Sequence, residues 1–249
     1  MDYQDIFLET TDSTNRVARE LGQKGGAHGS GVMAETQTGG RGRRGREWFS
    51  PPGKNLYCSY LVRPDIRLDD YPKLTMVAGV AAVQCLQEIS DISVGLKWPN
   101  DLYMKSRKCG GILCESSLAP GDSYGVIGIG INCNLSDSDL PEELKEIATS
   151  LFIESGVTID PRQLFGALRE HLLDTIRDFE DQGFAEILTR WNRYDLFYGK
   201  RMTWVRQDGK PVSGINLGPE IDGTLLVEDD DGNRHRVMSG DVTLAGPLP

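Results

Sequence analysis

The segment GGRGRRGREW, residues 39–48, stands out because four arginines fall within six positions and are interleaved with glycines. Glycine lets the backbone adopt positive φ and approach a ligand closely. Guanidinium groups are permanent cations that hold phosphate or carboxylate in bidentate geometry. No Gly-Lys-Ser/Thr ending follows, so the segment is not a P-loop. It predicts a site for an anionic ligand, although a solvated basic loop would have the same composition.

The chain around this loop is acidic and of ordinary globular composition. Its 249 residues carry a formal net charge of -10, with 39% hydrophobic and 26% charged residues. Duplex binding depends on neutralising phosphates with Lys and Arg, so the charge argues against a nucleic-acid partner. There is no basic-then-apolar leader, and no apolar run long enough for a membrane span. We therefore expect a soluble, cytoplasmic protein that uses neither membrane nor nucleic acid.

The cysteines predict no structural metal. Five are present, an odd number, and no C-x-x-C pair stands near a histidine. Paired spacings of that kind are typical of zinc sites. In a chain without an export signal, reduced and buried thiols are expected instead.

The apolar periodicity predicts an α+β fold rather than strict βαβ alternation. Predicted strands cover 4–11, 31–37, 55–64, 94–98, 110–117 and 124–132. Four helices are predicted. The first follows Ser13 or Thr14, whose side chain is expected to cap it. The second covers 71–90, the third begins near Pro161, and the fourth covers 184–194. The segment LYMKSRK, residues 102–108, is interpreted as a link between two strands.

The sequence pattern changes after Tyr198-Gly199, from long helical and strand segments to short β-prone ones. Short β-prone segments follow at 202–206, 212–217, 223–228, 234–238 and 241–244, separated by Asp-Gly and Gly-Pro turns. Several short strands in so short a region are typical of a small SH3-like β-barrel. The sequence thus predicts a large domain over residues 1–198 and a small one over 199–249.

Five motifs stand in a characteristic order: DSTN (12–15), AETQTGGRGRRGREWFSP (34–51), KWPND (97–101), RKCGGIL (107–113) and GIGIN (128–132). Their order and spacing resemble the catalytic domain of bacterial biotin–protein ligases, and the pair GRGRRGR and KWPND is the most specific part. With the C-terminal barrel, the resemblance covers essentially the whole chain. It implies a mixed β-sheet with flanking helices, like class II aminoacyl-tRNA synthetases, and an SH3-like barrel. Because the chain begins almost at the first catalytic strand, it resembles the form that lacks an N-terminal DNA-binding domain.

The resemblance also implies which residues form the site. The expected biotin-binding residues are Ser13, Thr14, Asn15, Gln37, Gly40, Arg41, Gly42, Arg43, Lys108, Gly111, Gly128 and Gly130. The expected ATP-binding residues are Arg43, Arg44, Arg46, Trp48, Asn100, Lys108 and Asn132. The expected catalytic residues are Lys108, Arg41, Arg43 and Asp101.

Some of these residues also have a purely structural interpretation. Lys108 could be a turn lysine like Lys105, but a single ammonium beside two glycines can also neutralise a carboxylate and a phosphate as they meet. Asp101 is a turn former or, as a hypothesis, positions Mg²⁺ or an attacking lysine. Trp48 is expected to pack on adenine. Gly128 and Gly130 would leave room for a flat bicyclic ligand, with Asn132 facing the nucleotide.

The implied reaction is ATP-dependent biotinylation. Biotin and MgATP give biotinyl-5'-AMP and pyrophosphate, and biotin then passes to a lysine of the biotin carboxyl carrier protein of acetyl-CoA carboxylase or a related carboxylase. ATP, Mg²⁺ and biotin are the expected substrates, no metal is held by the protein itself, and the chain is expected to be a monomer or a homodimer. The alternatives are a lipoate or octanoate ligase or transferase, a non-enzymatic biotin sensor, and a basic-loop RNA binder.

Overall fold

The computed structural model describes residues 3–90, 93–119, 121–205, 211–237 and 242–244. A seven-stranded mixed sheet forms the body of the molecule. Its strands are β1 (Asp5–Thr11), β2 (Gly31–Gln37), β3 (Leu56–Val62), β4 (Gly95–Lys97), β5 (Asp101–Met104), β6 (Arg107–Ser117) and β7 (Tyr124–Ile131). The order across the sheet is β1-β2-β3-β7-β6-β5-β4. The pair β1 and β2 is parallel, and the other neighbours are antiparallel.

Five α-helices accompany this sheet: α1 (Thr14–Gln23), α2 (Leu74–Ser90), α3 (Leu151–Ser155), α4 (Pro161–Gln182) and α5 (Phe184–Tyr194). Alternate residues of β7 point to opposite faces, so that Val126 joins a small cluster with Ala18 of α1, whereas Ile127 joins the main core with α2, α4 and α5. Every residue of β3 is buried. A strand covered on both faces is expected to be apolar throughout rather than alternating. The mixed α+β class expected from the sequence is confirmed.

The start of α4 follows its sequence signals. The Asp160 side chain accepts a hydrogen bond from the Arg162 backbone nitrogen at 2.8 Å, and Pro161 occupies the first helical position. These two devices satisfy or remove backbone donors that have no partner inside the helix. The predicted start near Pro161 is therefore confirmed.

Two local predictions are wrong. Ser13 precedes α1 but its side chain makes no capping bond; instead the Asp12 carboxylate accepts the Ser13 backbone N–H at 2.8 Å. The segment 102–108 is not a plain link, because it contains most of β5, a turn, and the beginning of β6. The buried side chains of Leu102 and Met104 alternate with Tyr103, and this period of two is the signal that was missed.

A second, antiparallel sheet follows α5. Its strands are β8 (Arg201–Val205), β9 (Pro211–Pro219), β10 (Leu225–Glu228), β11 (Arg234–Val237) and β12 (Val242–Leu244), in the order β11-β10-β9-β8-β12. The expected Gly-Pro turn lies inside β9, and the chain turns at residues 220–223, where Gly223 has a φ of 83°. Residues 206, 238 and 241, at the ends of three predicted strands, and the Asp208-Gly209 turn lie outside the described residues.

The second sheet packs against the seven-stranded sheet and its helices and shares their hydrophobic core. Trp204, Leu225 and Val227 belong to the same buried cluster as the large sheet. The indole nitrogen of Trp98, just after β4, donates a hydrogen bond to the Gly223 carbonyl oxygen at 3.1 Å. The motif KWPND is thus attached directly to the turn between β9 and β10. Among the described residues, no helix is long and apolar enough to cross a membrane.

A partly buried carboxyl, that of Asp195, lies at this junction. Asp195 accepts hydrogen bonds from the Phe197 backbone nitrogen at 2.8 Å and from Asn216 Nδ2 at 3.2 Å. Burial nevertheless dominates and raises the pKa of Asp195 to about 6, from an ordinary value of 3.8.

This raised pKa predicts a pH dependence of stability. Between the two pKa values the folded protein holds a proton that the unfolded chain has lost, so the contribution of the protonated Asp195 is complete below about pH 4 and is lost as the pH rises through about 6. Asp195→Asn cannot ionise. We expect the mutant to gain stability relative to wild type by up to about 3 kcal/mol between about pH 4.5 and 7.5.

Urea denaturation of both proteins across this pH range measures the difference. At low pH, where Asp195 is protonated, the difference in unfolding free energy reflects only the changed hydrogen bonding to Asn216. That difference serves as the reference. A difference that stays constant with pH would contradict the assignment.

Candidate active site

A cavity of about 820 Å³ opens where the glycine-arginine segment, the start of α1 and the ends of β2, β6 and β7 meet. Every site residue predicted from the sequence lines this cavity except Gly40. Gly40 lies at the base of the loop, where its carbonyl accepts a hydrogen bond from the Trp48 backbone nitrogen at 2.9 Å. A side chain there would come within 2.7 Å of Ser50 Oγ, so a glycine is required for the loop to close on itself.

The first part of the cavity is a small polar pocket at the start of α1. Gln37 Oε1 accepts hydrogen bonds from the Thr14 backbone nitrogen at 2.9 Å and from Thr14 Oγ1 at 3.2 Å. These bonds fix the amide of Gln37 and turn its nitrogen away from Thr14. The pocket therefore offers an amide donor beside hydroxyl groups, a combination that suits a ligand with a carbonyl and ring N–H groups.

Asn15 sits behind this pocket with its amide fully engaged by the protein. Its Nδ2 donates to the Leu113 carbonyl at 3.1 Å and to Glu115 Oε2 at 2.9 Å. Its Oδ1 accepts from Ser59 Oγ at 2.6 Å. The Glu115 carboxylate is held in turn by Arg19 at 2.5 Å.

Ser59 and Glu115 were not singled out in the sequence. Ser59 is a fully buried hydroxyl in an otherwise apolar strand, and it also lies 2.8 Å from Thr14 Oγ1. A polar residue inside such a run is a usable signal, because buried hydroxyls need partners. Glu115 gave no comparable signal, since its partners Asn15 and Arg19 are distant in sequence.

Two glycines of β7 line the cavity and lie against two side chains of the site. A β-carbon at Gly128 would lie 2.0 Å from Asn15 Oδ1, and one at Gly130 would lie 2.7 Å from Trp48 Nε1. The space above these glycines is thus occupied by Asn15 and Trp48. The small size of the two glycines leaves room for these side chains beside the cavity.

Lys108 and Asp101 form an ion pair in the cavity. Lys108 Nζ lies 2.6 Å from Asp101 Oδ1, across the hairpin of β5 and β6. The ammonium also lies 5.2 Å from the centre of the Trp48 ring. A β-carbon at Gly111 would come within 3.3 Å of Lys108 Nζ, so this glycine lets the lysine lie along the sheet. One cation is therefore placed between an aromatic ring and a carboxylate in the same cavity as the polar pocket.

The glycine-arginine segment folds over the opposite side of the cavity. Gly42 N donates to the Arg46 carbonyl at 2.7 Å, and a 3-10 turn at Arg43–Gly45 puts Arg44 at a φ of 57°. Arg43 donates a hydrogen bond to Asn100 Oδ1 at 3.3 Å. Asn100 also donates to the Ile112 carbonyl at 2.7 Å. The loop and the motif KWPND are thus joined through one amide.

An apolar wall completes the cavity, and it was not predicted from the sequence. Leu140, Leu144, Ile147 and Ala148 line the cavity. They lie in an acidic, irregular segment whose residues are brought to the site by backbone pairing with Lys108. Asn132 Nδ2 donates to the Thr149 carbonyl at 2.9 Å, so its amide is engaged with the end of this segment.

The described residues include no group of three or more His, Cys, Asp or Glu side chains that could hold a metal ion. The charged side chains that line the cavity are mainly arginines and lysines. The arrangement is suited to a ligand that carries negative charge beside Lys108 and Arg43 and an uncharged polar head in the pocket of Thr14 and Gln37.

Comparison with known proteins agrees with this chemistry. The model of the biotin/lipoate A/B protein ligase family matches residues 7–132. The sequence is 37% identical over 243 residues to the bifunctional ligase/repressor BirA of Bacillus subtilis, covering 96% of this chain and 73% of that protein. It is 34% identical over 246 residues to the biotin–[acetyl-CoA-carboxylase] ligase of Paracoccus denitrificans, covering 96% of this chain and 100% of that protein.

Solved structures show the same similarity. The biotin protein ligase from Aquifex aeolicus in complex with biotin and ATP matches with a TM-score of 0.81 and 29% identity, covering 96% of this chain and 97% of that chain.

The packing at Gly128 leads to a prediction about stability. Gly128→Ala should displace Asn15 and destabilise the protein by about 1–3 kcal/mol, since a methyl group forced into a filled space strains its neighbours. Gly166→Ala is the control, because a β-carbon at Gly166 of α4 would meet no atom within 4 Å. That change should leave stability unchanged or raise it by up to about 1 kcal/mol. Equal melting temperatures for the two mutants would show that Asn15 does not fill the space.

Proposed function

The chain belongs to the biotin/lipoate A/B protein ligase family, and on that premise we propose that it is a biotin–[acetyl-CoA-carboxylase] ligase. It uses ATP to activate biotin and then transfers the biotin to a protein lysine. The observation that carries this proposal is a single cavity in which a polar pocket, a lysine and an arginine loop lie side by side. Relatives named as biotin ligases match nearly the whole chain, which supports the same conclusion.

The first half-reaction joins two anions. A carboxylate oxygen of biotin attacks the α-phosphorus of ATP, the new P–O bond forms, and pyrophosphate leaves with the electrons of the broken bond. Repulsion between carboxylate and triphosphate opposes this approach. Lys108 lies where it can contact both groups, and Arg41 and Arg43 add positive charge from the loop. Preplaced cations of this kind stabilise the transition state and also orient the reactants.

The two ends of the cavity suit the two substrates. The ureido ring of biotin fits the pocket of Thr14 and Gln37, where the amide nitrogen of Gln37 can donate and hydroxyl groups can accept. The apolar wall of Leu140, Leu144 and Ile147 suits the flat face of adenine. Trp48, beside Lys108, packs on the adenine.

Magnesium enters with ATP as part of the substrate. Its charge reduces that of the triphosphate, as metal ions do in phosphoryl transfer. Asp101 is the carboxylate paired with Lys108, and we assign to it a part in orienting that lysine or the nucleophile of the second step.

In the second half-reaction a lysine amine of the carrier protein attacks the acyl carbon of biotinyl-5'-AMP. An amide bond forms, the amine loses a proton, and AMP leaves. The carrier is the biotin carboxyl carrier protein of acetyl-CoA carboxylase or a related carboxylase. Until it arrives, the loop of Arg41 to Arg46 shields the mixed anhydride from water.

Residues 1–198 form the catalytic domain in this proposal, and residues 199–249 form a small SH3-like β-barrel. The five antiparallel strands of the second sheet and their short connections support this division.

The proposed activity predicts an acyl-adenylate. Purified protein with MgATP and biotin should form biotinyl-5'-AMP, detected by mass spectrometry, and should form less adenylate or none from lipoate. If biotin gives no adenylate, the proposed function is wrong. If lipoate alone gives one, the enzyme is a lipoate ligase of the same family.

Lys108→Ala should slow adenylate formation by at least about 100-fold, because the cation that contacts both reacting anions is lost. The fold should be unchanged, as checked by circular dichroism and melting temperature. Lys24→Ala, at an exposed lysine after α1, is the control and should react at the wild-type rate. A near-normal rate for Lys108→Ala would show that the charge argument is incorrect.

Arg43→Gly should allow biotinyl-5'-AMP to leak into solution, since the contact between Arg43 and Asn100 that joins the loop to KWPND is lost. Filtration after a single turnover separates free from retained adenylate. Arg67→Gly, at an arginine whose side chain is 78% exposed outside the cavity, is the control. Retention of the adenylate by Arg43→Gly as strong as in wild type would contradict the shielding role of the loop.

A further inference from the structure

Glu154, on the short helix α3, is a buried carboxylate that does not line the cavity. Its side chain is only 3% exposed. Its carboxylate forms ion pairs with Lys105 Nζ at 2.7 Å and with the Arg107 guanidinium at 2.8 Å. The Thr149 hydroxyl donates a third hydrogen bond to it at 2.7 Å. Burial opposes ionisation, but the bonds from Lys105, Thr149 and Arg107 outweigh it and hold the pKa of Glu154 below its ordinary value.

The partners of Glu154 lie on both sides of Lys108. Lys105 lies in the hairpin turn between β5 and β6, and Arg107 is the first residue of β6, immediately before Lys108. Thr149 belongs to the segment that pairs with it: Lys108 N donates to the Ile147 carbonyl at 2.9 Å, and Thr149 N donates to the Lys108 carbonyl at 2.9 Å. One carboxylate therefore holds the turn before Lys108 and the strand-like segment beside it.

The charge on Glu154 suits this task better than a neutral amide would. A carboxylate has two oxygens that accept hydrogen bonds, whereas a glutamine has one and adds two donors. With an amide, Lys105 and Arg107 would face each other without the anion between them. The Lys105 side chain is 78% exposed and can turn to solvent, whereas Arg107 is only 28% exposed and would lose the anion that holds it beside Lys108. The turn beside Lys108 would then shift.

We propose that Glu154 is a positioning residue for the adenylation step, and that it acts by fixing the backbone of Lys108 beside the reacting anions. This inference rests on the proposed function. Glu154 touches neither substrate, so its effect reaches the reaction through Lys108. Errors of about 1 Å in the placement of a reacting group can slow a reaction by about 100-fold.

The test is Glu154→Gln, which keeps the shape of the side chain and removes its charge. Single-turnover formation of biotinyl-5'-AMP should slow by about 10-fold or more. The Kd for biotin without ATP should change much less than this rate, because Thr14 and Gln37, which hold the uncharged end of biotin in the proposed function, do not contact this cluster. Glu142→Gln is the matched control: Glu142 pairs with Lys145 at 2.5 Å, but its side chain is 87% exposed. The control should react at the wild-type rate.

A double mutant separates positioning from simple destabilisation. If Glu154 acts through Lys108, then Lys108→Ala combined with Glu154→Gln should react no more slowly than Lys108→Ala alone, measured over long incubations. A general loss of structure would slow both backgrounds by the same factor, and that result would overturn the proposal. So would a wild-type rate for Glu154→Gln.

Thr149→Val covers the case in which Glu154→Gln does not fold. It removes the hydroxyl and leaves the two ion pairs in place, so a smaller slowing is expected, again absent in the Lys108→Ala background. A wild-type rate for Thr149→Val would then overturn the proposal. Adenylate formation by the wild-type protein is measured in parallel: its absence contradicts the proposed function, whereas its presence with unaffected mutants contradicts only the role of Glu154.

Discussion

Lys108 and Asp101 face each other across the hairpin of β5 and β6, with nitrogen and carboxylate oxygen 2.6 Å apart. The rest of the site is arranged around this pair. Trp48 covers the ammonium, Gly111 leaves room for it to lie along the sheet, and Arg43 approaches from the loop. An acidic protein thereby gathers positive charge at one place and keeps it balanced by a carboxylate. An arriving anion can share the lysine without creating a buried, unpaired charge.

The sequence predicted those parts of the molecule that depend on short-range patterns. The motifs DSTN, GGRGRRGREW, KWPND, RKCGGIL and GIGIN all contribute residues to one cavity. The α+β class followed from apolar periodicity, and the start of α4 followed from Asp160 and Pro161. In these places neighbouring residues determine the local structure without help from distant ones.

Other parts could not be predicted because they depend on contacts between distant residues. The wall of Leu140, Leu144 and Ile147 reaches the cavity only through pairing of residues 147–149 with Lys108. Glu115 acts through Asn15, a hundred positions away. The contacts of the β7 glycines Gly128 and Gly130 with Asn15 and Trp48 likewise join residues that are distant in sequence. A residue type shows that space is needed and does not show which group fills it.

The hydrogen bond from Trp98 to the Gly223 carbonyl has a consequence for how this protein could be recombined with its relatives. The turn at 220–223 belongs to the second sheet in sequence, but it satisfies an indole inside KWPND. A chimera that joins the first 198 residues to a foreign second sheet would have to supply a carbonyl at the same place. In such a chimera, the turn at 220–223 should therefore come from the same protein as Trp98.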